Sequence, residues 1–456
     1  MLGLPPAGVL GNSYELARRR QACRSAHTFH LVCVQTVVII ARMTSIQFLK
    51  LVAFWLSAAA SGAAGSAGAV APAHAHSSES VAARPASTAA PAPAIALIVS
   101  NPTVSARAHE TVAVAISEVL RKAPGFDVKK VEVMDASGAE VLSQLVDMDG
   151  DETADEIVFQ TDFGPKESKT FQLKVGQRHP FARDDYRVYG RFVRERHDDF
   201  AWENDRVAHR MYGPELETFA KESLISSGID TWVKRVPKLV VNDWYMTDNY
   251  HQDVGEGADL YGVGKSRGLG GIGVWAGSKL HVSKNFTQSR VLASGPIRLV
   301  FELTYAPWDA GGTQVAETKR VIIDAGSQFN CLESTFTGHK GKLVAGIGLA
   351  KHPGSTVKTD ARNGAMWAWE PLDGGKAGNL GTAVVLPSGS HLDEHHNELD
   401  YLVVTNVPAS GRLVYYAGSA WDRAGRIRDA ADWAAEVQSL ASRLAAPVKI
   451  SLRIDQ

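Results

Sequence analysis

Arg298-Leu299-Val300-Phe301-Glu302-Leu303-Thr304-Tyr305 decides the fold class. Bulky apolar side chains fall at every second position, and a period of two sends successive side chains to opposite faces of an extended chain. The same alternation recurs upstream in Thr111–Ile116, Lys130–Val133, Glu156–Gln160 and Lys169–Val175. Downstream it returns in Lys319–Ile323, Thr382–Leu386 and Tyr401–Thr405. Turn residues such as Asp135-Ala136-Ser137-Gly138 separate these runs. Many short alternating strands with few helical patterns predict a mainly β protein, a large antiparallel β-sandwich. One clear helix is predicted over Ala430–Leu444, with Asp429 as N-cap and Trp433, Val437, Leu440 and Leu444 forming one apolar stripe. Pro447 stops it, and Val448–Leu452 reads as a returning edge strand. A weaker helix is expected at Pro214–Ser223.

Outward from this region, the N-terminus reads as an export signal. The apolar core Phe48–Leu56 leads into a small-residue tract containing Ala71-Pro72-Ala73 and Ala73-His74-Ala75. That core is too short to span a bilayer, and the pattern begins well at Met43. Residues 1–75 are therefore expected to be leader and signal peptide, and 76–94 a Ser/Ala/Pro linker. Residues 95–456 are expected to form a single domain, periplasmic or secreted and free of the membrane once the signal is removed. With 45% hydrophobic residues, 21% charged residues and a net charge of −1, the composition suits a globular domain and gives no basis for a nucleic-acid partner. Cys23 and Cys33 fall in the leader, which leaves Cys331 alone and excludes an internal disulfide in the mature chain.

Two segments carry dense chemistry. Tyr250–Arg267 interleaves Tyr250, His251, Asp253, Glu256, Asp259, Tyr261, Lys265 and Arg267 with glycines that let backbone approach a ligand. Ala201–Pro214 holds Trp202, Glu203, Asn204, Asp205, Arg206, His209 and Arg210. Read as one strand, it would set Glu203, Asp205, Val207 and His209 on one face, with Trp202, Asn204, Arg206 and Arg210 opposite. Such a strand suits a wall of a sugar cleft, where rings stack on the pyranose and charged groups bond hydroxyls. An ion-paired structural strand is the alternative.

Other motifs carry less. Gly264-Lys265-Ser266 lacks the earlier glycine of a P-loop, because Asp259 stands there, and Gly268-x-Gly270-x-x-Gly273 precedes a strand rather than a helix. Asp147, Asp149 and Asp151 are read as part of a hairpin turn, with calcium the alternative. His391 and His395 are expected on a surface loop.

The runs Ala201–Gly213 and Tyr250–Gly271 resemble a family of secreted bacterial proteins known as domain of unknown function forty-eight sixty-one. Gly228–Arg235, the turn at Asp147 and Tyr415–Trp421 also match, so the resemblance covers nearly all of 95–456. The family pattern carries a cysteine where this chain has Leu269, so no cysteine role carries over there. The resemblance implies a galactose-mutarotase-like supersandwich and an association with breakdown of uronate-containing polysaccharide. It supplies no agreed reaction.

The expected partner is thus an oligosaccharide or polysaccharide, and the leading expected reaction is β-elimination on a pectin- or ulvan-type uronate. His251 or Tyr261 would be the base and Arg267 or Arg206 the carboxylate clamp, whereas hydrolysis would instead draw two carboxylates from Glu203, Asp205, Asp253, Glu256 and Asp259. Trp202, Glu203, Asn204, Asp205, Arg206, His209, Arg210, Tyr250 and Asp259 would line the substrate site. Hydrolysis by a carboxylate pair, epimerisation or mutarotation, and glycan binding without catalysis stay open. No cofactor is expected beyond the calcium alternative.

Overall fold

The strict alternation of Gln314–Asp324 buries Val315, Glu317, Lys319, Val321 and Ile323 on one face. That strand lies inside an eight-stranded antiparallel sheet in the computed structural model, which describes residues 94–454 apart from 222 and 248. The sheet runs in the order Phe286–Ser294, Arg298–Asp309, Gln314–Asp324, Phe329–Thr337, Arg412–Trp421, Asn379–Val385, Ala365–Pro371, Thr356–Asp360. The leader reading and the linker up to residue 93 lie outside the described residues.

Two five-stranded sheets cover its inner face. One contains Val188–Val193, Asp199–Asn204, Val207–Met211, Asp230–Lys234 and Gly257–Ala258. The other contains Lys279–His281, Leu269–Ala276, Val344–Ala350, Asp400–Asn406 and Asp393–His396. A parallel bridge between Ile229 and Gly268 joins them. Leu299, Phe301, Leu303 and Tyr305 meet Phe200, Trp202, Ile272, Ile347 and Leu349 in the shared core, and the Phe200 and Phe301 rings stack at 4.2 Å. Each such side chain contributes roughly 1.5–3 kcal/mol by leaving water. The predicted mainly β, sandwich-type architecture is what the chain adopts.

A smaller pair of sheets has its own core. Ile95–Ser100, Ser168–Val175, Val131–Met134, Glu140–Val141 and Lys449–Ile454 form one, and Arg107–Ala115, Glu156–Phe163 and Ser143–Val146 the other. Leu97, Val112, Phe159, Phe171 and Leu173 fill the space between them. The last strand does return as an edge, pairing antiparallel with Ile95–Ser100. The helix Ala430–Ala445 begins where Asp429 accepts the Ala431 and Asp432 amides at 2.9 Å. It buries Trp433, Val437 and Ala441 against the large sheet. Gly381 permits this approach, because a Cβ there would sit 2.6 Å from the Trp433 ring.

Several local expectations need correction. Residues 201–212 are not one strand but the arms of a hairpin, Asp199–Asn204 and Val207–Met211, with Asp205-Arg206 as the turn. The Asn204 side chain closes the turn by accepting the Arg206 and Val207 amides at 2.8 and 3.0 Å. The two-residue turn reverses the chain, so Trp202 faces His209 and Glu203 faces Ala208 across the ladder. Pro214–Glu217 is a short 3₁₀ turn rather than a helix reaching Ser223. Asp393–His396 is an exposed edge strand rather than loop. Two short helices, Ile116–Lys122 and Val241–Thr247, carried too few turns to announce themselves by periodicity.

Candidate functional site

The hairpin gives its sheet a second buried face, turned away from the main core. Ala201, Ala208 and Trp232 pack there against Val241, Trp244, Tyr245 and Tyr250, from the Val241–Thr247 helix and the loop after it. Charged residues interleave with them. Glu203 and Lys234, both fully buried, pair at 2.7 Å, and Glu203 also accepts the Val240 and Val241 amides at 2.8 and 2.7 Å. Arg210 bonds Asp230 at 2.8 Å and Asp259 at 3.0 Å, with Asp199 at 3.7 Å. Burial drives the Asp199 carboxyl up to about 7 against the opposing pull of Arg210. Asp230 rises too, from burial and then from the Asp259 charge. The two predicted segments therefore touch, because Arg210 also reaches the Tyr250 hydroxyl at 3.4 Å. His251 caps this cluster from the surface, 60% exposed, with Nδ1 3.6 Å from Asp259 and its ring on Tyr250.

A cleft of ≈ 140 Å³ opens where the Asp230–Lys234 strand approaches the large sheet. Asp205, Arg206, Arg235, Trp421 and Arg426 line it, with Lys234, Gln328, Leu380 and Ser419. The Arg235 guanidinium lies 4.7 Å above the Trp421 ring and is ion-paired to Asp253. Trp421 is fixed by its Nε1 donating to the Ala377 carbonyl at 2.8 Å. Burial lowers the basicity of Arg206, and the nearby Arg426 charge lowers it further.

The other expected residues are distributed around these two places. Trp202 and His209 belong to the main core and share Asn330, at 2.8 and 3.0 Å. Burial pushes His209 down to about 3, so it is neutral there. Asn204 shapes the turn, and Asp205 accepts the Gly326 amide at 2.6 Å. Glu256 bonds Lys238 at 3.2 Å and the Trp244 indole at 3.2 Å. Arg267 is buried and committed to Ser227 and the Lys265 carbonyl, at 3.0 and 3.2 Å. The Tyr261 hydroxyl is buried, with its ring edge-on to His352 at 5.0 Å. Carboxylate oxygens of Asp147, Asp149 and Asp151 lie within 4.8 Å of one another, though Asp147 is already occupied by the Gly150 and Glu152 amides.

Sequence reading passed over Arg235, Trp421 and Arg426 as chemistry. Arg235 ends the Gly228–Arg235 run and Trp421 ends the Tyr415–Trp421 run, so two of the three stood inside stretches that carried the resemblance. It also missed His352, whose Nδ1 lies 2.8 Å from buried Glu370 and whose Nε2 lies 2.6 Å from the Gly262 carbonyl. Burial opposes its charged form, but these bonds outweigh that and raise its pKa.

Uncharacterized protein P7 of Formosa agariphila is 34% identical over 377 residues, spanning 78% of this chain and 93% of that protein. Two solved structures from Enterococcus faecalis, a protein in the glycosyl hydrolase family 38 and an alpha-mannosidase, each align at 11% identity and a TM-score of 0.43. Each alignment takes in 79% of this chain but only 47% and 46% of those chains, so the protein spans just under half their length. A family model matches residues 99–450, and with it the chain belongs to the family described as Domain of unknown function (DUF4861).

Proposed function

We propose that this protein acts outside the cytoplasm on uronate-containing oligosaccharide, and that it cleaves by β-elimination. The observation that carries the reading is the guanidinium-and-indole cleft, with Arg235 over Trp421 and Arg206 and Arg426 beside them. A uronate needs both surfaces, an apolar face for the ring and a planar cation for the carboxylate. In elimination that cation stabilises the charge that grows on the carboxylate as a base removes the adjacent proton. Arg235 takes the clamp role here in place of Arg267, because Arg235 is partly exposed over the Trp421 ring whereas the Arg267 guanidinium is buried. His251 is the base in this reading. It is exposed, and it precedes by two residues the Asp253 that bonds Arg235.

The test is incubation with oligogalacturonate and ulvan oligomers, following the ultraviolet absorbance of unsaturated uronates and the product masses. Elimination yields unsaturated ends, hydrolysis adds water, and a binding protein leaves the masses unchanged. His251→Ala is expected to lower turnover by roughly two to four powers of ten. Arg235→Gln is expected to weaken uronate binding by roughly ten- to a hundredfold. Undiminished turnover in His251→Ala removes the base assignment.

A further inference from the structure

The cleft carries more positive charge than one carboxylate requires. Four of its five ionisable lining residues are cations, namely Arg206, Lys234, Arg235 and Arg426. Two are already answered inside the protein. Lys234 is held by Glu203 and by the Asn204 carbonyl, both at 2.7 Å, and Arg235 by Asp253. The single lining carboxylate, Asp205, accepts the Gly326 amide at 2.6 Å, and its charge, with that of Glu436, offsets only part of what burial and the Arg426 charge cost Arg206.

Arg206 and Arg426 are left facing one cleft. Arg206 sits at the hairpin turn, its backbone pinned by Asn204, while its Nε is buried with no hydrogen-bond partner. A buried donor without an acceptor keeps its full desolvation cost, and the cost is larger when the group is charged. Two guanidiniums close enough to oppose each other's charge add to that cost. An oxyanion removes both penalties at once. The Nε edge of an arginine presents two parallel N–H groups, the geometry that a carboxylate or sulfate accepts in bidentate fashion.

We propose that Arg206 and Arg426 form a second oxyanion subsite, so that the cleft takes an oligosaccharide bearing two anionic groups. One is the carboxylate held by Arg235, whose guanidinium bonds Asp253 through one of its nitrogens and lies over the Trp421 ring. The other is a second carboxylate or a sulfate ester, held between Arg206 and Arg426. The saccharide part rests on the uronate reading above, whereas the oxyanion subsite does not.

Calorimetry and the ¹⁵N resonance of the Arg206 Nε–H test it, with inorganic sulfate, galacturonate, digalacturonate and a sulfated uronate disaccharide as probes. Sulfate is expected to shift the Arg206 signal, and Arg426→Gln, a change at an exposed position, to weaken sulfate binding at least roughly tenfold. Digalacturonate, the sulfated disaccharide or both are expected to bind more than about tenfold tighter than galacturonate. Whichever holds that advantage identifies the second group as carboxylate or ester. The advantage is expected to vanish in Arg426→Gln and in Arg206→Lys, which keeps the charge but loses the planar fork. Equal binding of singly and doubly anionic sugars, or an advantage that survives both variants, overturns the proposal while leaving the uronate reading intact. Sulfate binding at Arg206 without any uronate binding does the reverse: the subsite stands and the uronate reading falls.

Discussion

Lys234 places an ammonium where no water reaches, and the Glu203 carboxylate at 2.7 Å is what permits it. Removing one member of such a pair costs more than the pair is worth, because the survivor keeps its desolvation penalty without its partner. Lys234→Met is therefore expected to destabilise the protein by about 3–5 kcal/mol, measured by urea unfolding. Replacing both, as Glu203→Gln with Lys234→Met, is expected to recover part of that loss, since no charge is then left buried and unpaired, while Gln keeps one acceptor oxygen for the two amides that Glu203 takes on separate oxygens. This residue-scale logic was hidden in the sequence. Trp202-Glu203-Asn204 reads either as a wall of a sugar cleft or as an ion-paired strand, and only a partner 31 residues away makes Glu203 half of a buried pair.

At the scale of elements, the sheet containing Asp199–Asn204 and Asp230–Lys234 gathers Asp199, Asp230 and Asp259 around Arg210. Asp199 is held up to about 7, whereas an unfolded chain titrates aspartate near about 3.9. Between those values the folded protein keeps a proton that the unfolded chain has lost. The stabilisation from Asp199 is thus complete below about pH 4 and disappears as the pH rises through 7. Asp199→Asn keeps the shape of the protonated acid and is expected to remove that slope, roughly 1.4 kcal/mol per pH unit. The check is urea unfolding of both proteins from pH 4 to pH 8, compared as a difference. The difference matters because His209, held down to about 3, works with the opposite sign, losing stability as the pH falls below about 6.5. Strands such as Arg298–Asp309 and Gln314–Asp324 were legible because each carries its alternation within its own residues. The hairpin at Asp205-Arg206 was not, because a polar two-residue turn between two half-polar arms leaves the period of two unbroken by proline or glycine.

Across the whole molecule, the cleft combines residues from 205–207, 232–237, 328, 380 and 419–427. No window of sequence contains more than a fragment of it, which is why segment density drew attention to Tyr250–Arg267 instead. That region does hold Asp253, the partner of Arg235, and Ala201–Pro214 holds Asp205 and Arg206, so the reading reached one edge of the cleft but not Arg235, Trp421 and Arg426. The architecture was accessible because a sandwich is a sum of local patterns, and the cleft was not because it is a product of their assembly.

The pairing of Ile95–Ser100 with Lys449–Ile454 also has a consequence for the order in which the protein is made. A chain that emerges N-terminus first brings out the first strand long before its edge partner exists. Until Lys449–Ile454 follows, Ile95–Ser100 presents unpaired amides and carbonyls along one edge, and its sheet lacks the contacts of Leu452 with the small core. Deleting residues 448–456 is expected to leave the large sandwich folded while the small one becomes susceptible to protease, with fragments read by mass spectrometry. Equal protease resistance in the truncated and full chains would show that the last strand is dispensable. On this topology the small sandwich closes only after Lys449–Ile454 has been synthesised.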